Sequence, residues 1–258
     1  MSIDIRPFQP FDLPGMYRVC LRTGDSGRDA TGLYGDPDLL PHIYAGPYPA
    51  ADPGLTFVAA DASGVLGYVV ATADSHAFDG WLEEHWWPEL RLRYPLPLPP
   101  LSTPLSTPDP GDGTKDRQCV EHIHRPGPPE PKALYERYPA HLHIDILPRG
   151  QGAGLGRRLM DALLSALRER GVPGLHLGVG AGNPGAHAFY LRLGFTEAER
   201  QEWGSVMVMD LTRRVGTAPQ ARSPTVRVRP ARSSARWASC ATMGFQRPSG
   251  RADDVVRV

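Results

Sequence analysis

Residues 141–171 read HLHIDILPRGQGAGLGRRLMDALLSALRERG, and this run limits the fold more than any other part of the chain. HLHIDILP is a short apolar run of strand character. From 152 to 170 the period becomes helical: Leu155, Leu159, Leu163 and Leu167 recur at spacing four, leaving Arg157, Arg158, Asp161, Arg168 and Glu169 for solvent. Gly171 and Pro173 stop the helix. Between strand and helix stands QGAGLG, with more glycine than a plain turn needs. A turn of this kind presents successive backbone N–H groups at the positive end of the helix dipole, where an anion is favoured. Gly152, Gly154 and Gly156 let the main chain approach a pyrophosphate without a Cβ in the way, and Arg157 or Arg158 can add charge.

Two nucleotide fingerprints fail on this turn. The dinucleotide pattern GxGxxG meets Leu155 or Arg157 where it requires glycine, and the Walker pattern lacks its GK followed by Ser or Thr. A dinucleotide or ATP site is therefore disfavoured.

The flanking segments fit a mixed α/β domain. SIDIRPF alternates as an opening strand, and residues 12–23 follow as a helix with Leu13, Met16, Val19 and Cys20 on one side. Residues 24–54 read as an irregular, partly helical excursion. LTFVAAD and GVLGYVVATAD form a hairpin about ASG. HAFDGWLEEHWWPELRLRY looks helical, with Trp81, His85, Trp86 and Leu90 near one face. Residues 95–131 hold too much proline for regular structure and read as an insertion within the domain. After the leucine helix, GLHLGVG is a buried strand, Asn183-Pro184 caps a short helix GAHAFYLRLG, and SVMVMDL closes the sheet.

Composition sets the outer limits. The 258 residues are 41% hydrophobic and 22% charged, which suits one domain, read as residues 1–212, plus an extension. Residues 213–258 carry ten Arg against Asp253 and Asp254, so the zero net charge divides into a basic tail and a body at about −8. The tail has no apolar period and is expected to be disordered rather than to bind nucleic acid. The opening MSIDIRPFQPFD has no leader character, and no segment approaches the ~20 apolar residues of a membrane span. Cys20, Cys119 and Cys240 form no disulfide framework, and the expectation is a cytoplasmic protein. His122 and His124, near Cys119 and Glu121, match no common zinc spacing, so no metal is expected. Trp81, Trp86 and Trp87, with Tyr34, Tyr44 and Tyr48, either line an acceptor groove or pack helices on the sheet.

LPRGQGAGLGRRL resembles the acetyl-CoA loop of the GNAT N-acetyltransferases, and NPGAHAFYLRLGF resembles their second signature. The elements over residues 140–211 occur in that family's order. The resemblance implies a GNAT fold, a mixed central sheet splayed between its fourth and fifth strands and flanked by helices. It also implies acetyl-CoA as co-substrate. The backbone of Ile144, Ile146 and Leu147 would pair with the pantetheine, Gln151, Gly152, Ala153, Gly154, Leu155, Gly156 and Arg157 would hold the pyrophosphate, and Asn183 would start the second helix beside the cofactor. Tyr190 is the implied proton donor near the sulfur, a tyrosine that packs equally well beside Phe189. Asp145 is a carboxylate in an apolar strand, and His143 shares its side at period two; both are candidate bases, as is Asp74 at the end of the hairpin.

IDIRPFQPFD, YRVCLRTG, GYVVATADSHAF and HLHIDI are further similar to the acetyltransferase-like domain of eukaryotic O-GlcNAcases, a pseudo-acetyltransferase, over residues 3–212. This chain departs from it by keeping Gln151 and three glycines, and no glycoside hydrolase module is expected with it. Two functions follow as expectations. One is acetyl transfer to a primary amine (a lysine side chain, a peptide N-terminus or a small amine) by a monomer or homodimer, with neither membrane nor nucleic acid as partner. The other is an inactive module that binds CoA or a peptide.

Overall fold

A computed structural model describes residues 3–96, 113–125 and 133–212. Its centre is a seven-stranded sheet in the order β1-β2-β3-β4-β5-β7-β6. The strands are β1 (Asp4–Pro7), β2 (Thr56–Asp61), β3 (Gly64–Thr72), β4 (Ala140–Ile146), β5 (Gly174–Gly180), β6 (Thr196–Gln201) and β7 (Gly204–Asp210). Every neighbouring pair is antiparallel except β4 and β5, which run parallel. Only Ala140↔Leu175 and His141↔His176 pair between them. Beyond those residues the two strands part, which opens the sheet at the place the expected fold requires.

The helices are α1 (Leu13–Thr23), α2 (Leu39–Tyr44), α3 (Pro47–Ala51), α4 (Ser75–Trp81), α5 (Trp87–Arg93), α6 (Thr114–Ile123), α7 (Ala133–Arg137), α8 (Leu155–Glu169) and α9 (Pro184–Leu193). Strand alternation divides the core into two layers. Val69 and Ala71 of β3 and Leu142 and Ile144 of β4 pack with the leucine stripe of α8. Tyr68 and Val70 turn to the opposite side, where α1, α2 and α5 cover them. Leu159 has no exposed surface and sits within that leucine stripe. Leu159→Ala is expected to destabilise the fold by about 2–5 kcal/mol in urea titration, with an unchanged transition slope.

Three readings of the sequence are corrected. The helical stretch from 75 to 93 is broken at residues 82–86 by a π-turn, which inserts one residue into the period. Phe78, Leu82, Trp87 and Leu90 therefore form the buried face, at spacings four, five and three, while His85 is exposed. The insertion is not free of regular structure, because residues 114–123 form α6 and bury Cys119, Val120 and Ile123. The strand β6, TEAERQ, is too exposed to show an apolar period, so β7 lies inside the sheet and β6 at its edge. Of the rest of the insertion, residues 97–112 and 126–132 lie outside the described residues, as does the basic tail from 213 onward. Among the described residues no helix is long and apolar enough to cross a membrane.

Candidate active site

A cavity of about 650 Å³ opens where β4 and β5 separate. Its wall includes Ile144 and Ile146 of β4, Gly150, Gln151, Gly152 and Gly154 of the turn, Leu155, Gly156 and Arg157 of α8, and a stripe of α9. That stripe is Gly185, Ala186, Phe189, Arg192 and Leu193, the spacing of one helix face. The remaining wall is Asn183 and the turn Ser26-Gly27-Arg28.

The glycine turn is built for an anion. Gly152 and Gly154 both have positive φ, 79° and 73°, and a Cβ on either would meet nothing within 4 Å. Glycine is therefore required by the backbone and not by crowding. The first hydrogen bond that carries the turn into α8 runs from the Arg158 N–H to the Gly154 carbonyl, 3.1 Å. The amides ahead of it point out of the helix end, beside its positive dipole. Gly156 differs: a Cβ there would stand 3.0 Å from the Phe189 ring, so its bareness lets α8 and α9 approach.

The strand edge is equally specific. The Leu147 N–H donates to the Leu66 carbonyl, 2.9 Å, and the Leu147 carbonyl accepts from Gly150, 2.8 Å. By the alternation of an antiparallel ladder, Ile144 and Ile146 then turn their backbone groups away from β3 and into the splay. Leu147 is thus a correction, since both its backbone groups are committed to the fold. The Ile146 carbonyl accepts from Nε2 of Gln151, 3.0 Å, so Gln151 bridges strand edge and turn. Asn183 caps α9 by accepting from the Ala186 N–H, 3.0 Å, which leaves its amide nitrogen beside Gly27.

The expected acid and bases stand behind this wall. Asp145 has no exposed surface and faces α1: Thr23 Oγ1 lies 3.0 Å from one carboxylate oxygen, and the Tyr68 hydroxyl donates to the other. Tyr68, Asp145's partner across the β3–β4 ladder, carried no signal of this role, its position reading only as strand. His143 is buried with its ring edge-on to Tyr44 and Tyr48, both at 5.4 Å. Tyr190 is 1% exposed and packs on Phe189 and Phe195. Burial, and then the charge of Asp145, push its hydroxyl well above the usual tyrosine range. Tyr190, Ala153, Asp145 and His143 are all absent from the cavity wall. Asp74 accepts from the His76 and Ala77 N–H groups as the N-cap of α4, so its carboxylate serves the helix.

The histidines of the insertion and the aromatic residues are accounted for by packing. His122 stacks on Tyr44 and meets Trp87 edge-on, and burial lowers it to about 4. Tyr34, Tyr44, Tyr48 and Trp87 are core residues, Trp81 packs against them, and Trp86 donates to the His42 carbonyl.

The turn at 25–28 was not legible as part of the site. Ser26 and Gly27 have consecutive positive φ values, 52° and 86°, the tip of a two-residue hairpin closed by Asp25 and Arg28. A non-glycine residue in that conformation costs on the order of 1 kcal/mol. The tip lies beside Gly182 and Asn183, neighbours some 150 residues away that no local pattern foretells.

A model described as the Acetyltransferase (GNAT) family matches residues 127–195, the part that holds β4, the glycine turn, α8, β5 and α9. A crystal structure titled SsHAT is 37% identical, with a TM-score of 0.67 over 82% of this chain and 99% of that one. The chain belongs to the GNAT acetyltransferase family. This family member is also 25% identical over 204 residues to Protein O-GlcNAcase of Rattus norvegicus, covering 77% of its own length. It spans about a fifth of the length of the O-GlcNAcase relatives it matches. Over 57 residues it is 46% identical to the ribosomal protein bS18-alanine N-acetyltransferase of Escherichia coli strain K12, 22% of this chain and 38% of that relative.

Proposed function

We propose that this GNAT protein is an acetyl-CoA-dependent N-acetyltransferase that moves the acetyl group directly to a primary amine in a ternary complex. The observation that carries this is the continuity of one cavity from the open edge of Ile144 and Ile146 to the N-terminus of α8. Amide-bearing pantetheine suits the strand edge as an added strand would, and a pyrophosphate suits the turn amides. The 46% match to a relative named as an alanine N-acetyltransferase supports an amine acceptor. The body's charge of about −8 favours a cationic one, such as a lysine side chain or a peptide N-terminus.

Bound acetyl-CoA supplies the activated thioester. Tyr190, held protonated at neutral pH, serves the departing thiolate as a hydrogen-bond donor and not as a strong acid. The Asp145 carboxylate, held by Thr23 and Tyr68, is the second cause, after burial, that keeps the Tyr190 proton in place. His143 is the remaining candidate for the amine proton.

A second reading, a CoA-binding protein without turnover, is favoured by one observation: Tyr190, Asp145 and His143 are all buried behind the wall. Calorimetric titration of acetyl-CoA and CoA into the full chain tests the site, with micromolar binding expected. If neither ligand binds, both readings fail. Given binding, release of free CoA in the presence of amines at rates above hydrolysis supports transfer, and its absence leaves the binding protein.

A further inference from the structure

Three arginines line the cavity, and they are not equivalent. Arg28 is paired with Asp25 at 2.8 Å, and Arg157 has Asp161 one turn on at 3.7 Å. Arg192 has no carboxylate partner among the described residues, and no acid stands three or four positions from it on α9. It is a free guanidinium on a ligand-binding wall.

Its place along that wall decides what it can meet. The α9 stripe begins at Asn183, beside the Ser26-Gly27 tip, and passes the turn where Phe189 lies on Gly156. Arg192 comes one helical turn later, with Leu193 beside it. At ~1.5 Å per residue it stands roughly 14 Å along the axis from Asn183. Asn183 stands by the Ser26-Gly27 tip, while Phe189, at the middle of the stripe, lies against Gly156 just past the pyrophosphate turn. Arg192 therefore faces what lies beyond the pyrophosphate.

On the acetyl-CoA reading above, that part is the adenosine carrying a 3′-phosphate. We propose that Arg192 is the residue that recognises the 3′-phosphate, so that the site discriminates CoA from 3′-dephospho-CoA. The pyrophosphate already has the backbone amides of the turn, while the 3′-phosphate needs a cation of its own. A guanidinium offers two parallel donors to it. Phe189 and Leu193 on the same face supply apolar surface for the adenine.

The test is calorimetric titration of CoA and of 3′-dephospho-CoA into the full chain and its Arg192→Gln and Arg192→Lys variants. The unsubstituted protein is expected to prefer CoA by on the order of tenfold at low salt, less as salt rises. Arg192→Gln should bring the ratio close to one by weakening CoA alone, with dephospho-CoA bound as before. Arg192→Lys should keep part of the preference. A ratio that survives Arg192→Gln overturns the proposal, as does equal weakening of both ligands, which would put Arg192 on the pyrophosphate. Equal binding of both ligands by the unsubstituted protein overturns it while sparing the cofactor reading. Failure of both ligands to bind sinks the cofactor reading and the proposal with it.

Discussion

Gly154→Glu is expected to weaken acetyl-CoA binding by at least about a hundredfold, or ~2.7 kcal/mol, while leaving the protein folded. Two effects act in the same direction on binding. The new carboxylate stands at the N-terminus of α8, where it competes with the pyrophosphate for the same amides and dipole. It also brings a like charge next to the ligand's own. On stability the effects oppose each other. A residue with a Cβ at φ 73° is strained by about 1–2 kcal/mol, while a carboxylate at a helix N-terminus contributes ~0.3–1 kcal/mol in return. Nothing lies within 4 Å of the added Cβ, so no overlap enlarges the loss. Titration calorimetry beside urea denaturation separates the two. Binding that survives within tenfold would mean that the pyrophosphate does not sit on this turn. Gly154→Ala is the control, carrying the strain without the charge, and should lose far less affinity.

The contrast between this turn and the rest of the site shows what a sequence can disclose. QGAGLG was legible because its information is local: three glycines, an adjacent strand and a leucine period fix the turn, the helix and the direction of the dipole. Asn183-Pro184 was legible for the same reason, and the α9 stripe follows from it by counting. The Ser26-Gly27 tip was not, since its meaning lies in its place beside Gly182 and Asn183. Nor was the pairing of Tyr68 with Asp145, which depends on the β3–β4 register. In the fold, the phase of the tryptophan helix was missed because a π-turn adds a residue that a 3.6 period cannot show. The strand β6 was missed because its exposed surface leaves no apolar alternation to read.

Asp145→Ala is expected to cost about 3–5 kcal/mol of stability, among the largest losses available to a single substitution in this fold. The carboxylate has no exposed surface, and its oxygens meet two hydroxyls from different elements, Thr23 of α1 and Tyr68 of β3. Alanine removes the shared acceptor, leaving two buried hydroxyls and a cavity the size of a carboxyl group. Asp145→Asn keeps the shape and an acceptor oxygen, so its loss should be roughly half as great. Tyr68→Phe removes a donor from a buried acid and is expected to cost about 1.5–3 kcal/mol. Because Asp145 and Tyr68 act on each other, the double variant Asp145→Asn/Tyr68→Phe should cost less than the two single changes added together. Additivity within ~0.5 kcal/mol would mean that the pair is not coupled. The same variants address the chemistry. If the Asp145 charge supports Tyr190, Asp145→Asn should lower kcat and shift the alkaline limb of its pH profile while acetyl-CoA affinity is kept. That pattern does not follow from a purely structural acid, whose replacement would act on stability and leave the pH profile of the folded fraction in place.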